Sequence, residues 1–205
     1  MAVLTVPLAL LAALLTPILR LGRMLAWIAL GLMVVVILAQ VFFRYVVGDA
    51  LNWPDEAARF LMLWMTGLIA PSAYRWGGFV AIDMVPELLP RAVRLVLMLV
   101  LYVIALTVLT YAVQLGWKHT MGFGGNFDSS SLRVPLDLFG GENVKVKLRY
   151  MYMSLLVGCA LLWAVTIELI LRTLIELIDP GRAQPPRDEP VADAAQADAA
   201  TAGAS

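Results

Sequence analysis

The sequence predicts an all-α integral membrane protein: four transmembrane helices, an N-terminal interfacial helix ahead of them, and a disordered C-terminal tail. Three observations carry this reading. The 205-residue chain is 61% hydrophobic but only 15% charged, whereas a soluble domain carries about 25% charged residues. The apolar residues are clustered into charge-free runs at 24–43, 60–74, 95–117 and 150–167, and a helix needs about 20 apolar residues to cross a bilayer. The last 26 positions turn to Pro, Ala and Asp without an aromatic residue, a composition that cannot bury a core.

Taken in order, residues 1–19 form a further charge-free run, interrupted by Pro7 and Pro17. A secretory signal has its basic residues before the apolar stretch. Here Arg20 and Arg23 come after it. The run is therefore read as an uncleaved helix lying in or near the interface, with a fifth span as the alternative. Residues 24–47 make the first span, with Trp27 near one end and Phe42, Phe43 and Tyr45 near the other, as an aromatic belt places them. Gln40 and Arg44, four apart, share a face. Gln40 is expected to hydrogen-bond a neighbouring helix, and Arg44 to reach the interface.

The stretch 48–52 is a turn. Asn52 is suited to cap the next helix, Trp53 and Pro54 to its first positions, and Asp55 and Glu56 to the positive end of its dipole. This second span covers 53–74. Asp55 or Glu56 can pair with Arg59 within one turn. Trp64 and Gly67 point to a face packed closely on a neighbour, and Pro71 to a kink. Arg75, Trp76, Gly77 and Gly78 end the helix. The segment 79–90 holds Asp83, Pro86 and Pro90, which argue against a long helix there. A third span covers 91–117. The longest connection, 118–149, is rich in Gly and Ser and reads as a loop outside the membrane. The last span covers 150–178, with Glu168 and Arg172 four apart in the favourable orientation for pairing. The chain thus divides into a membrane domain, 1–179, and a tail, 180–205.

Catalytic chemistry finds little footing. The single cysteine, Cys159, rules out a disulfide within the chain, and the single histidine, His119, rules out a bis-histidine haem. The run Gly122, Phe123, Gly124, Gly125 lacks the Lys-Ser/Thr ending of a phosphate loop. No carboxylate stands in the middle of a span, which argues against a proton relay. Net charge is zero, so nothing points to nucleic acid. With the N-terminus inside and four spans, the inner segments hold eight basic residues and the outer ones six, a slight positive-inside bias toward cytoplasmic N- and C-termini.

The central stretch nevertheless has a recognisable order. Phe43-Arg44-Tyr45 closes the first span. Trp53, Glu56 and Arg59 open the second at Trp-x-x-Glu-x-x-Arg spacing. Arg75-Trp76-Gly77-Gly78-Phe79-Val80-Ala81-Ile82-Asp83 follows it, and Ser131-Leu132-Arg133-Val134-Pro135 precedes the last span. Over residues 20–175 this resembles the small membrane subunit of the tripartite ATP-independent periplasmic (TRAP) transporters, the DctQ family. Phe79 departs from it, standing where the family often has His, and the stretch 140–147 lengthens its loop.

The resemblance implies a scaffold subunit of a sodium-coupled importer of organic acids, in the bacterial inner membrane. Its partners would be a large elevator-type membrane subunit, a periplasmic substrate-binding protein and membrane lipids. It also implies no enzyme activity and no cofactor in this chain, with sodium bound by the large subunit. Arg44, Trp53, Glu56, Arg59, Trp64, Arg75 and Asp83 become the candidate contacts to partner or lipid. A membrane anchor for a redox complex, and a small autonomous channel or transporter, are the competing readings.

Overall fold

In the computed structural model, residues 2–48, 53–77, 90–122, 126–134 and 144–179 are described. Asn52, Asp83 and the tail from 180 lie outside them. Four long helices carry the fold: α1, Ala2–Phe42, continued by a π-helical turn at Phe43–Val47; α2, Pro54–Arg75; α3, Arg91–Met121; and α4, Arg149–Ile178. Between α3 and α4 lies a two-stranded antiparallel hairpin of β1, Asp128–Val134, and β2, Val144–Lys147.

The N-terminal run is not a separate element. It is the first half of α1, which passes through Pro7, Pro17, Arg20 and Arg23 without a break. The reason is a packing face that does not stop at the arginines. Leu15, Leu19, Ala26 and Ala29, at helical spacing, are all buried. Two prolines remove only two backbone donors, and this continuous contact outweighs that loss. At 1.5 Å per residue α1 is about 60 Å long, twice the roughly 30 Å hydrocarbon layer. Gly48, at φ 77°, stops it by turning left-handed and donating its N–H to the Phe43 carbonyl. Gly77, at φ 71°, does the same service after α2.

Contacts fix the directions. Thr16 meets Arg75, and Gln40 meets Asp55, so α1 and α2 run antiparallel. Gly67 meets Ser154 and Gly158, and Arg75 meets Glu168, so α2 and α4 run parallel. Arg91 meets Glu176 and Trp163 donates to Thr110, so α3 and α4 run antiparallel. Helix α4 touches each of the others and is the centre of the bundle.

The interior is sparse in large side chains. Leu15, Leu19 and Val165 form its apolar cluster, with Leu11, Tyr74, Ala164 and Leu169 around them. Elsewhere small residues let helices touch. A Cβ on Gly67 would stand 2.7 Å from the Ser154 carbonyl oxygen, and one on Gly158 would stand 2.9 Å from the Gly67 Cα. Buried Thr120 and Thr166 return their hydroxyls to the carbonyls four residues back, which satisfies a polar group without a partner helix. The large apolar side chains face outward instead: Leu14 is 66% and Trp27 70% exposed. That inversion is what a lipid surround produces. Among the described residues, three helices are long and apolar enough to cross a membrane: Thr5–Val47, Arg91–Met121 and Arg149–Ile178.

The connection expected as a plain loop at 118–149 is more ordered than its Gly and Ser content implies. Helix α3 continues one turn past Trp117, and the hairpin follows. Asp128 faces Lys147, Arg133 faces Lys145 and Val134 faces Val144, with a register shift between Asp128 and Arg133. The Leu148 N–H closes the hairpin onto the Phe127 carbonyl at 3.0 Å.

Candidate functional site

At the end of the bundle away from the hairpin, charge is buried. Arg75 is the last residue of α2, where a cation complements the negative end of the helix dipole. Its Nε and Nη2 donate to Glu168 Oε1 at 3.2 and 2.8 Å, and its Nη1 donates to Thr16 Oγ1 at 3.0 Å. Glu168 takes two further bonds on the same oxygen, from Arg172 Nε at 3.0 Å and Nη2 at 2.6 Å. The Glu168 side chain is 0% and that of Arg75 2% exposed. One carboxylate thus holds two guanidinium groups, and residues from α1, α2 and α4 meet at it.

The arrangement is costly unless complete. An ion pair in a low-dielectric interior repays its desolvation only when its geometry is good and its remaining groups are bonded. Oε1 is served by four N–H donors, each charge-assisted. Glu168 Oε2 and, on the last turns of α2, Ser72 Oγ and Trp76 Nε1 are buried without a partner among the described residues. Around the cluster, Leu15 and Leu19 of α1 close on Val165. The Arg23 guanidinium lies 4.4 Å from the Trp76 ring centroid, a cation–π contact that ties α1 to the end of α2. Arg91 and Glu176, 3.4 Å apart and partly exposed, pair α3 with α4. Chemically the cluster is a brace: it joins three helices and presents no nucleophile or acid–base pair.

The sequence candidates distribute unevenly around this brace. Arg75 sits at its centre. The expected Glu168–Arg172 pair is present and extends to Arg75, a link the sequence reading missed. A signal for it existed: Arg75 and Glu168 are each the first charge after a charge-free run, and parallel helices would bring those ends level.

At the opposite end, Gln40 donates to Asp55 at 2.9 Å, the expected bond to a neighbouring helix. Asp55 therefore points to α1. Arg59 is exposed and makes no ion pair among the described residues. Trp53 precedes α2, with Pro54 at its first position. Arg44 lies in the π-helical turn, 5.9 Å from the Tyr45 ring. Trp64 pairs with Phe60 at 6.3 Å between ring centroids, and its Nε1 is buried without a partner among the described residues. Glu56 is half-buried in the first turn of α2. Arg44, Trp53, Glu56 and Arg59 lie at the end of the bundle opposite Arg75, and Trp64 lies midway along α2, so they form no single site.

The bundle and its outward apolar faces describe a membrane component, and among the described residues no group of His, Cys, Asp and Glu could hold a metal ion. The profile of the family described as "Tripartite ATP-independent periplasmic transporters, DctQ component" matches residues 33–176, more than half of the chain. The chain belongs to the DctQ family. No curated protein matches it. As a DctQ component it is the small membrane subunit of a TRAP transporter, a multi-pass membrane protein and not an enzyme. Its family implies association with a large membrane subunit and a substrate-binding protein. The matched region leaves out the first 32 residues, and with them Thr16, Leu15 and Leu19 of the brace.

Proposed function

We propose that this DctQ-family subunit is the static scaffold of a sodium-coupled importer of organic acids. In this reading an elevator-type large subunit carries the substrate and the sodium ions, and this chain holds no cofactor of its own. The observation that supports the reading is where the charges go. Arg75, Glu168 and Arg172 bond to one another inside the bundle and, with Thr16, tie α1, α2 and α4 together.

Four spans fit this role. Helix α2, with 22 residues and charges at both ends, crosses alongside α1, α3 and α4, its Asp55, Glu56 and Arg59 at one membrane face and Arg75 at the other. Arg20, Arg23, Arg75, Arg91, Arg94 and Arg172 then mark the cytoplasmic face of the inner membrane, with both termini on that side. The first half of α1 emerges there. The hairpin and the start of α2 face the periplasm, where Arg44, Trp53, Glu56 and Arg59 are available to lipid headgroups, the large subunit or the arriving binding protein.

The test is co-expression with a neighbouring large-subunit gene. The tagged chain is expected to retain the large subunit on purification, and uptake of an organic acid is expected to require both subunits, the binding protein and a sodium gradient. Uptake that persists at full rate without this chain would overturn the reading.

A further inference from the structure

Helix α3 packs on α4 through one side, where Leu95, Gly116 and Thr120 are buried. Its opposite side is exposed. Along Val93, Val96, Val100 and Ile104 that side is apolar, as a face toward lipid should be. Beyond that level its character changes. Thr107, Tyr111, Gln114 and Lys118 follow one another by four, three and four residues, so they form one row on one face. All four are exposed, Tyr111 by 70%. Thr107 returns its hydroxyl to the Val103 carbonyl at 2.9 Å. The Tyr111 hydroxyl and the Gln114 amide have no hydrogen-bond partner among the described residues. Other polar side chains of the spans are answered within the chain: Gln40 donates to Asp55, Trp163 to Thr110, and Ser154 and Thr166 to carbonyls of their own helix.

Depth decides what covers this row. The charge-free part of α3 is 95–117, with Leu106 at its midpoint. At 1.5 Å per residue, Tyr111 stands about 7.5 Å and Gln114 about 12 Å from that level, inside the roughly 15 Å half-thickness of the hydrocarbon. Side chains on a helix lean toward its N-terminal end. Here that lean runs toward the midpoint, so it carries the polar ends of Tyr111 and Gln114 away from the headgroups. This holds whichever way α3 crosses. Hydrocarbon offers neither donor nor acceptor, and an unpaired polar group within it is costly. A neighbouring helix with polar side chains of its own removes that cost.

A second copy of this chain is the poorer occupant. Two-fold pairing of parallel α3 helices sets the same patch against itself and brings Lys118 to Lys118. Helix α3 holds no Asp or Glu to offset the two cations. We infer that the face of α3 from Thr107 to Lys118 receives a transmembrane helix of the large subunit, with hydrogen-bonding side chains level with Tyr111 and Gln114 and a carboxylate level with Lys118. This rests on the scaffold reading above and names the face that does the holding.

The experiment co-expresses the tagged chain with the large subunit and measures the large subunit recovered per tagged chain. Wild type is compared with the double variant Tyr111→Phe, Gln114→Leu, and with the same variant carrying Lys118→Glu. The three side chains are exposed, so both variants are expected to insert and fold at the wild-type level when expressed alone. Recovery of the large subunit is expected to fall severalfold in the double variant and further in the triple one. Recovery equal to wild type in both would overturn the inference and leave the scaffold reading standing. Failure of wild type itself to retain the large subunit would overturn the scaffold reading and the inference with it. A photo-reactive phenylalanine analogue at position 111 is expected to cross-link to the large subunit. Cross-linking only to lipid, or only to a second copy of this chain, would overturn the assignment.

Discussion

Glu168 is the residue on which three helices depend. Its oxygen Oε1 is shared by two arginines, so Glu168→Gln leaves the buried Arg75 without its counter-charge and takes one partner from Arg172. Removing one partner of a buried pair costs about 3–5 kcal/mol. Thermal unfolding in detergent micelles is expected to show this as a large loss of stability. Replacing the cluster as a unit, with Arg75→Met, Glu168→Leu and Arg172→Met together, should cost much less, because no charge is then left unpaired. A triple variant as unstable as Glu168→Gln would show that the ions supply more than mutual neutralisation. The pair Glu168–Arg172 could be read from spacing alone. Arg75 could not, because nothing in one sequence says that α2 and α4 run parallel and in contact at that level. Thr16 was further out of reach, since a lone threonine in an apolar run carries no charge or pattern to mark it.

At the scale of helices, the bundle is held by closeness more than by bulk. The Gly67–Gly158 contact brings α2 and α4 backbone to backbone, and overpacking of this kind costs about 1–3 kcal/mol even where neighbours can shift. Gly67→Leu and Gly158→Leu are therefore expected to lower folded yield, while Gly31→Leu, with no described atom within 4 Å of its Cβ position, is not; equal effects at the three positions would contradict the internal contacts described above. Leu19→Ala should cost about 2–5 kcal/mol, because Leu19 is almost fully buried against Val165. Helix existence was legible wherever a charge-free run approached bilayer length. The continuity of α1 was not. Pro17, Arg20 and Arg23 look like punctuation on paper, and only the packing face of Leu15, Leu19, Ala26 and Ala29 shows why the helix runs through them. The hairpin was hidden for the opposite reason: its strands are short and set among glycines, where composition indicates a loop.

For the whole molecule, the two ends differ in kind. One carries the buried brace and a basic rim; the other carries the hairpin and the charged first turn of α2. In the proposed orientation, with the brace at the cytoplasmic face, a membrane-impermeant thiol reagent applied from outside is expected to label Ser130→Cys but not Ala183→Cys, both in the Cys159→Ser background. The reverse pattern would invert the topology and leave the bundle unchanged. The brace joins three helices at one end of the bundle, and the family places this chain beside a larger membrane subunit. The most direct measurement is sodium-driven uptake in proteoliposomes holding this chain alone, the large subunit alone, or both, with the binding protein supplied outside. Uptake is predicted only where both subunits are present, with this chain alone no better than empty vesicles. Gradient-driven uptake by this chain alone would contradict the account.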